Sequence, residues 1–489
     1  MRFNSFKLKR RAHSLSRTST EQSWNVFRQI NWSRNFSRDG ALGESGESGR
    51  KREDEDSQSK SLGKHQPFTA ANQIQRTLLS SWINILLLAA PVGIAINYVS
   101  SISRVAVFVV NFIAIIPLAA MLGFATEEIA LRTGEVWGGL INATFGNAVE
   151  LIVAILALVK HEYVIVRTSL IGSILSNLLL VMGCCFFFGG LRRPQQYFNE
   201  TAAQTATSLL ALAIAAVIIP TVFDYTTDNP VKDIAGLSRG TSVILLVVYS
   251  AYLLFQLKTH KTVFSEESQK VAAKPWTRSS LDEGAVGRGI ALPGALMSGG
   301  VSDGNEHSAI FKQAGSDGEE EEEEEEPQLH FFVALGTLVI STVIIALCAD
   351  YMVDSIDSVT ENSSLKKEFV GLILLPIVGN AAEHATAVTV AIKDKMDLAI
   401  GVAVGSSMQV ALLLFPLLII IGWGLGLDEM NLSFDLFQVA VMFVAVLLVN
   451  YLIADGKSHW LEGFLLICLY SIIGTCAFYY PNNQSNSSE

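Results

Sequence analysis

Two glutamates, Glu150 and Glu383, each lie in an apolar stretch long enough to cross a membrane, and each closes the same five-residue phrase. The first reads Gly146-Asn147-Ala148-Val149-Glu150 and the second Gly379-Asn380-Ala381-Ala382-Glu383. A carboxylate at the centre of a bilayer costs roughly 2.5–3.5 kcal/mol on insertion scales, which makes it a functional candidate. Two in copied surroundings predict one site built twice. Asn147 and Asn380 stand three residues earlier on the same helix face and add amide oxygens. On the following spans Ser173 and Asn177 are spaced i,i+4, and Ser406 and Gln409 i,i+3, so each pair can face one cavity. This is a hard-oxygen donor set, as suits Ca²⁺ with roughly six to eight oxygen ligands at 2.3–2.6 Å. Thiolates are absent from the motif and His384 stands alone, so zinc and copper are disfavoured.

The two carboxylates together neutralise one Ca²⁺. When the metal leaves, two negative charges remain in low dielectric, and protons are the available counter-charge. Competition for one site then makes an exchanger without a second pathway. Each pH unit is worth ~1.36 kcal/mol per proton, so an acidic compartment can drive Ca²⁺ uphill. No resident cofactor is needed: Ca²⁺ and H⁺ are cargo, and Mn²⁺ is a further cargo that oxygen ligands suit. The competing structural reading is a hydrogen-bonded helix pair, though such polar glue is usually Ser, Thr or Asn. His384 beside Glu383 reads either as a proton relay or as a packed, hydrogen-bonded histidine. Glu127 and Glu128, and Asp350 and Asp354, lie nearer the two faces; they read either as cation-attracting mouths or as solvated helix ends.

The elements that must position these groups are membrane helices. The chain has 489 residues, half of them hydrophobic, with mean hydropathy +0.39 and 17% charged residues. Eleven apolar runs are long enough to span: 80–99, 104–123, 137–159, 167–189, 203–223, 238–257, 330–350, 367–391, 398–423, 435–454 and 459–480. One soluble core could not bury all of them. The predicted class is therefore an all-α membrane protein, a lipid-bilayer resident in two halves. Residues 78–257 carry six spans and 329–480 carry five. A polar linker, 258–328, joins them and ends in eight glutamates, Glu319 to Glu326. That run reads as a self-repelling spacer or a weak cation collector, because it lacks the spacing and glycine of an EF-hand loop.

Residues 1–77 read as a basic, Ser-rich disordered tail without a short apolar signal region, so the first span is expected to act as the targeting signal. Residues 481–489 form a short polar tail. The net charge of −11 averages this basic start with the acidic linker, and nucleic-acid binding is not expected of it. All five cysteines fall in apolar runs and fit no metal or disulfide framework. The short loops are nearly balanced in Lys and Arg. The basic flanks before the first span (Lys60, Lys64, Arg76) and after the sixth (Lys258, Lys261, Lys270, Lys274) put the N-terminus and linker in the cytosol. Eleven crossings then put the C-terminus on the far side.

A shift of 233 residues carries Glu150 onto Glu383. The same shift carries Lys160 onto Lys393, Gly172-Ser173 onto Gly405-Ser406, and Ser176 onto Gln409. Five crossings separate the copies, so they run in opposite directions. Inverted-topology repeats are a transporter architecture, with the ion site at the midplane. Gly146 and Gly379 are placed to loosen each helix just before its carboxylate.

These motifs resemble the two signature repeats of the calcium/proton exchanger family, particularly its fungal vacuolar branch. The resemblance rests on Phe145 to Ile155 and Gly379 to Val388, supported by Gly172 to Val181, Lys395 to Leu398, Gly405 to Gln409 and Asn450 to Lys457, and it covers about residues 78–480. It implies eleven spans, Ca²⁺/H⁺ antiport at a vacuolar membrane, an acidic linker, and Glu150 and Glu383 as the paired ion-binding carboxylates. The tail is longer and more basic than the family's minimal pattern. The alternatives are a sodium-coupled or Mn²⁺-transporting exchanger of the same fold, and an intramembrane metal hydrolase. The last would need a His-Glu-x-x-His arrangement that none of the eight histidines supplies, so no enzyme is expected.

Overall fold

The computed structural model describes residues 73, 75, 77, 82–133, 135–226, 231–265, 268–273, 329–362 and 365–480. Most of the expected basic tail, the Glu319–Glu326 run and the tail from 481 lie outside these. The described helices belong to one compact unit, made of the chain up to Val271 and from Pro327 onward.

Among the described residues, each of the eleven apolar runs lies largely on helix. A 3₁₀ stretch, Trp82–Leu88, leads into α1 (Ala89–Asn97), followed by α2 (Arg104–Thr133). The third run is two helices, α3 (Glu135–Phe145) and α4 (Ala148–Val159), broken at Gly146-Asn147. Next come α5 (Tyr163–Gly190), α6 (Glu200–Thr226), α7 (Val231–Thr259) and, after the linker, α8 (Phe331–Asp354). The eighth run is again a broken pair, α9 (Lys367–Gly379) and α10 (Ala381–Ile392), bent by 61°. The remainder are α11 (Met396–Gly424), α12 (Leu436–Leu452) and α13 (Trp460–Phe478). Among the described residues seven helices are long and apolar enough to cross a membrane, or up to eight with the bent pair; α4 and α12 are apolar but shorter.

The repeat extends to the backbone. Asn147 (φ −99°, ψ 25°) and Asn380 (φ −103°, ψ 7°) leave helical geometry just before α4 and α10, which are both 12 residues long. Those helices end at Lys160 and Lys393, again alike in conformation. Next come His161 (φ 61°) and Asp394 (φ 63°), the two non-glycine residues with left-handed backbone among the described residues. That conformation costs an L-residue roughly 1–2 kcal/mol, so its recurrence at the same repeat position marks a turn that both copies require. Further on, α5 widens into a π-helical segment at Ser176–Val181 and α11 does so at Val410–Leu414. Such bulges occur often at functional sites.

Packing places these two helices at the centre. Within their most apolar windows α5 is 83% buried and α11 67%, against 17% for α7. Outer helices keep large apolar side chains exposed, among them Ile244 and Val247 on α7 and Phe332 and Ile340 on α8, a surface suited to lipid. Glycines let backbones approach closely in the interior. A Cβ on Gly172 of α5 would collide with the Leu372 carbonyl of α9, and one on Gly463 of α13 with the Gly183 carbonyl and Phe187 N–H of α5. One short strand pair accompanies the helices of this all-α chain. Two-residue strands β1 (Gln196–Tyr197) and β2 (Lys457–Ser458) pair antiparallel and join the loops after α5 and α12. Their backbone groups satisfy one another where the helix ladders end.

Gly463→Ala should destabilise the folded protein by roughly 1–3 kcal/mol, because the added methyl group meets backbone that cannot rotate away. Gly401→Ala, with nothing within 4 Å of the new Cβ, should be neutral or stabilising. Thermal unfolding in detergent checks the pair; equal Tm values would show that the α5–α13 contact gives way freely.

Candidate functional site

The helix breaks seat the carboxylates. Glu150 lies in the first turn of α4 and Glu383 in the first turn of α10. A Cβ built on Gly379 would lie 3.3 Å from Glu150 Oε1, and one on Gly146 would lie 3.7 Å from Glu383 Oε1. Each carboxylate therefore rests against the break of the other repeat. Both oxygens of Glu150, Oε2 of Glu383 and Oδ1 of Asn380 are buried without a hydrogen-bond partner. A buried polar atom left unpaired costs about 1–3 kcal/mol, and a charged one more. Unpaired oxygens of this kind, carboxylate and amide, are what a hard cation takes as ligands.

An amide–hydroxyl network surrounds them and crosses between the repeats. Asn380 Nδ2 donates to Ser173 Oγ at 3.0 Å, and Ser406 Oγ donates to Asn147 Oδ1 at 2.9 Å. The 233-residue shift converts one pair into the other. Asn177 Nδ2 also donates to Ser406 Oγ at 3.1 Å, and Asn147 Nδ2 to Gln409 Oε1 at 2.7 Å. The structure thus brings Asn147, Ser173, Asn177, Asn380, Ser406 and Gln409 together beside the two glutamates.

Among the differences between the copies, one alters this network. Gln409 occupies the place that Ser176 holds in the first repeat, and it reaches Asn147. Ser176 is shorter and instead pairs with His384 Nε2 at 3.3 Å. Asn147 has both amide atoms engaged, whereas Asn380 keeps its oxygen unpaired. Tyr470 of α13 lies beside Ser176 as well. Ser176 and Tyr470 were not among the residues picked from sequence. Ser176 was visible only as the repeat partner of Gln409, and Tyr470 carried no signal in an apolar run.

A cavity of about 20 Å³ adjoins Glu150, lined also by Val153, Ser169, Met352, Leu375 and Gly379. That is room for roughly one water molecule.

The outlying acidic residues are engaged. Lys160, at the end of α4, reaches Asp350 at 2.5 Å and Asp354 at 2.6 Å, tying the first repeat to α8. Glu128 is fully buried and accepts the Leu329 N–H at 3.0 Å, while Arg132 donates to the Leu329 carbonyl; Glu127 is half-buried. Glu128 is thus an anchor for the chain entering α8, not a solvated helix end.

Residues 103–258 and 333–479 match the family described as sodium/calcium exchanger protein. The chain is 43% identical over 474 residues to a vacuolar calcium ion transporter of Cryptococcus neoformans var. grubii, covering 87% of this chain and 78% of that one. It is 42% identical over 407 residues to a vacuolar calcium ion transporter of Schizosaccharomyces pombe, covering 83% and 86%. Among solved structures, the selenium-substituted Ca²⁺/H⁺ antiporter protein YfkE superimposes with TM-score 0.59 at 32% identity, covering 81% of this chain and 99% of that one. With both halves of the membrane body matched, this chain belongs to the sodium/calcium exchanger protein family.

Proposed function

We propose that the protein is a secondary active antiporter that exchanges Ca²⁺ for H⁺ across a vacuolar membrane and loads an acidic store. The observation that carries the reading is the crossed seating of Glu150 and Glu383, with three of their four oxygens buried and unpaired. The names of the relatives, vacuolar calcium ion transporters and a Ca²⁺/H⁺ antiporter, support the same cargo.

Eleven crossings put the N-terminus and linker in the cytosol and the C-terminus in the lumen. The two repeats then run in opposite directions, with the glutamates near the midplane. Ca²⁺ from the cytosol binds the Glu150 and Glu383 carboxylates with the Asn380 amide oxygen, and the −2 charge of the pair balances the ion. The hydroxyls of Ser173 and Ser406 hold the two asparagines in place. Rocking of the repeats opens the site to the lumen, as in other inverted-repeat transporters. There protons displace the ion and neutralise both carboxylates for the return. His384, held by Ser176, is placed to pass a proton beside Glu383. A second reading, coupling to Na⁺ or transport of Mn²⁺, follows from the all-oxygen donor set, which suits those ions too.

Vesicles with an acidic interior should take up Ca²⁺ and stop when the pH gradient is collapsed. Uptake that survives collapse, or that depends on Na⁺, would overturn proton coupling. Glu150→Gln and Glu383→Gln should each lower uptake by at least about a hundredfold, as expected when an essential charge is lost, and still elute as folded protein. Near-normal uptake by either variant would remove that carboxylate from the mechanism. Mn²⁺ should compete with Ca²⁺ uptake in the same assay; indifference to excess Mn²⁺ would show selection beyond ligand type.

A further inference from the structure

The turn joining α10 to α11 links the two helices that carry Glu383, Ser406 and Gln409. The turn and the first turn of α11 hold two carboxylates that the first repeat lacks: Asp394 and Asp397 stand where His161 and Val164 stand in the earlier copy. Neither faces the ion site, and both are fully used.

Asp394 accepts from Gln196 Nε2 at 2.7 Å and from the Val271 N–H, with Arg193 Nε 3.5 Å away. Asp397 accepts from the Asn199 N–H at 2.5 Å, from the Ser268 N–H at 3.0 Å and from Ser268 Oγ at 2.5 Å. Ser268 and Val271 open the linker. Arg193 adds a bond to the Val271 carbonyl at 2.7 Å, and Ser268 Oγ also lies 2.8 Å from the Tyr197 carbonyl. The linker segment 268–271 is thus strapped across the turn of the second repeat.

The first repeat is tied differently. Its turn reaches α8 through Lys160 and reaches Lys367 of α9 through Glu162 at 3.0 Å. Those ties join membrane helices to one another, whereas Asp394 and Asp397 join a site-bearing turn to the linker. In the proposed cycle the repeat that carries this turn rocks against its surroundings. A charge-assisted O–H to carboxylate bond resists that motion more strongly than a neutral one.

We propose that Ser268–Val271 is a latch, and that Asp394 and Asp397 are positioning residues through which the linker sets the turnover of the exchanger. The latch holds the α10–α11 turn in the arrangement seen here and opens in each cycle. The inference rests on the transport reading above and adds a regulatory element to it.

The test uses the full-length chain with its native cysteines replaced. Ser268→Cys and Asp397→Cys are bridged by a short, reducible bis-methanethiosulfonate reagent in vesicles with an imposed pH gradient. Bridging should cut Ca²⁺ uptake at least about tenfold, and reductant should restore it, with neither effect in the single-cysteine variants. Undiminished uptake by the bridged protein would overturn the latch. A chain inactive before bridging and after reduction would instead count against the transport reading. Asp397→Asn provides the milder variant. It should raise the maximal rate about threefold or more while leaving the half-saturating Ca²⁺ concentration unchanged, because one charge-assisted bond no longer holds the turn. It should also speed trypsin cleavage after Lys270, a readout that needs no transport. Unchanged cleavage, or faster cleavage with an unchanged rate, would overturn the proposal.

Discussion

A carboxylate without a partner in an apolar interior is the constraint around which the molecule is arranged. It cannot be placed on an unbroken helix among aliphatic side chains without a large cost. Here the cost is managed by interrupting two helices and setting each carboxylate against the glycine of the opposite interruption. The interruptions create N-termini for α4 and α10 in the protein interior, with Glu150 and Glu383 in their first turns. The positive end of a helix dipole lies where the negative charge is. The same geometry leaves oxygen atoms uncommitted, and the proposed cation site rests on that deficit.

The amides and hydroxyls around the carboxylates serve a different purpose. Asn147 and Asn380 sit at the bends, and their side chains reach the paired spans of the other repeat. Rigid placement of ligating groups depends on such outer contacts. The unequal partners Ser176 and Gln409 leave Asn147 held at both ends of its amide and Asn380 at one. The second repeat is also the side tied to the linker.

Much of this was legible in the sequence. The eleven apolar runs, the 233-residue offset and the expectation of glycine-loosened helices all fall where the helices and breaks stand, because hydropathy and exact repetition are local signals. The polar residues chosen around Glu150 and Glu383 lie in one network because their helical spacing put them on shared faces. Other features could not be read this way. The bonds of Lys160 to Asp350 and Asp354 and of Asp397 to Ser268 join residues more than a hundred positions apart, and charges near a membrane surface pair by three-dimensional proximity. For Glu128 the sequence offers a cation-attracting mouth or a solvated helix end, since nothing local reveals that an N–H from residue 329 will cover it. The short β1–β2 pair escaped notice because two residues carry no periodicity.

The crossed seating of the glutamates has a consequence for how the chain is made. Glu150 finds its glycine only at Gly379, so the pocket has no existence in the first half alone. At about 5–20 residues per second of synthesis, the ribosome needs roughly ten to fifty seconds to travel from one carboxylate to the other. Throughout that interval the first half waits at the translocon with a polar group that has no seat. A neutral, proton-bearing side chain is the inexpensive form in which to wait. Under the proposed exchange cycle that is also the charge state of the return stroke, so the first ion in the pocket of each newly made molecule would be a proton.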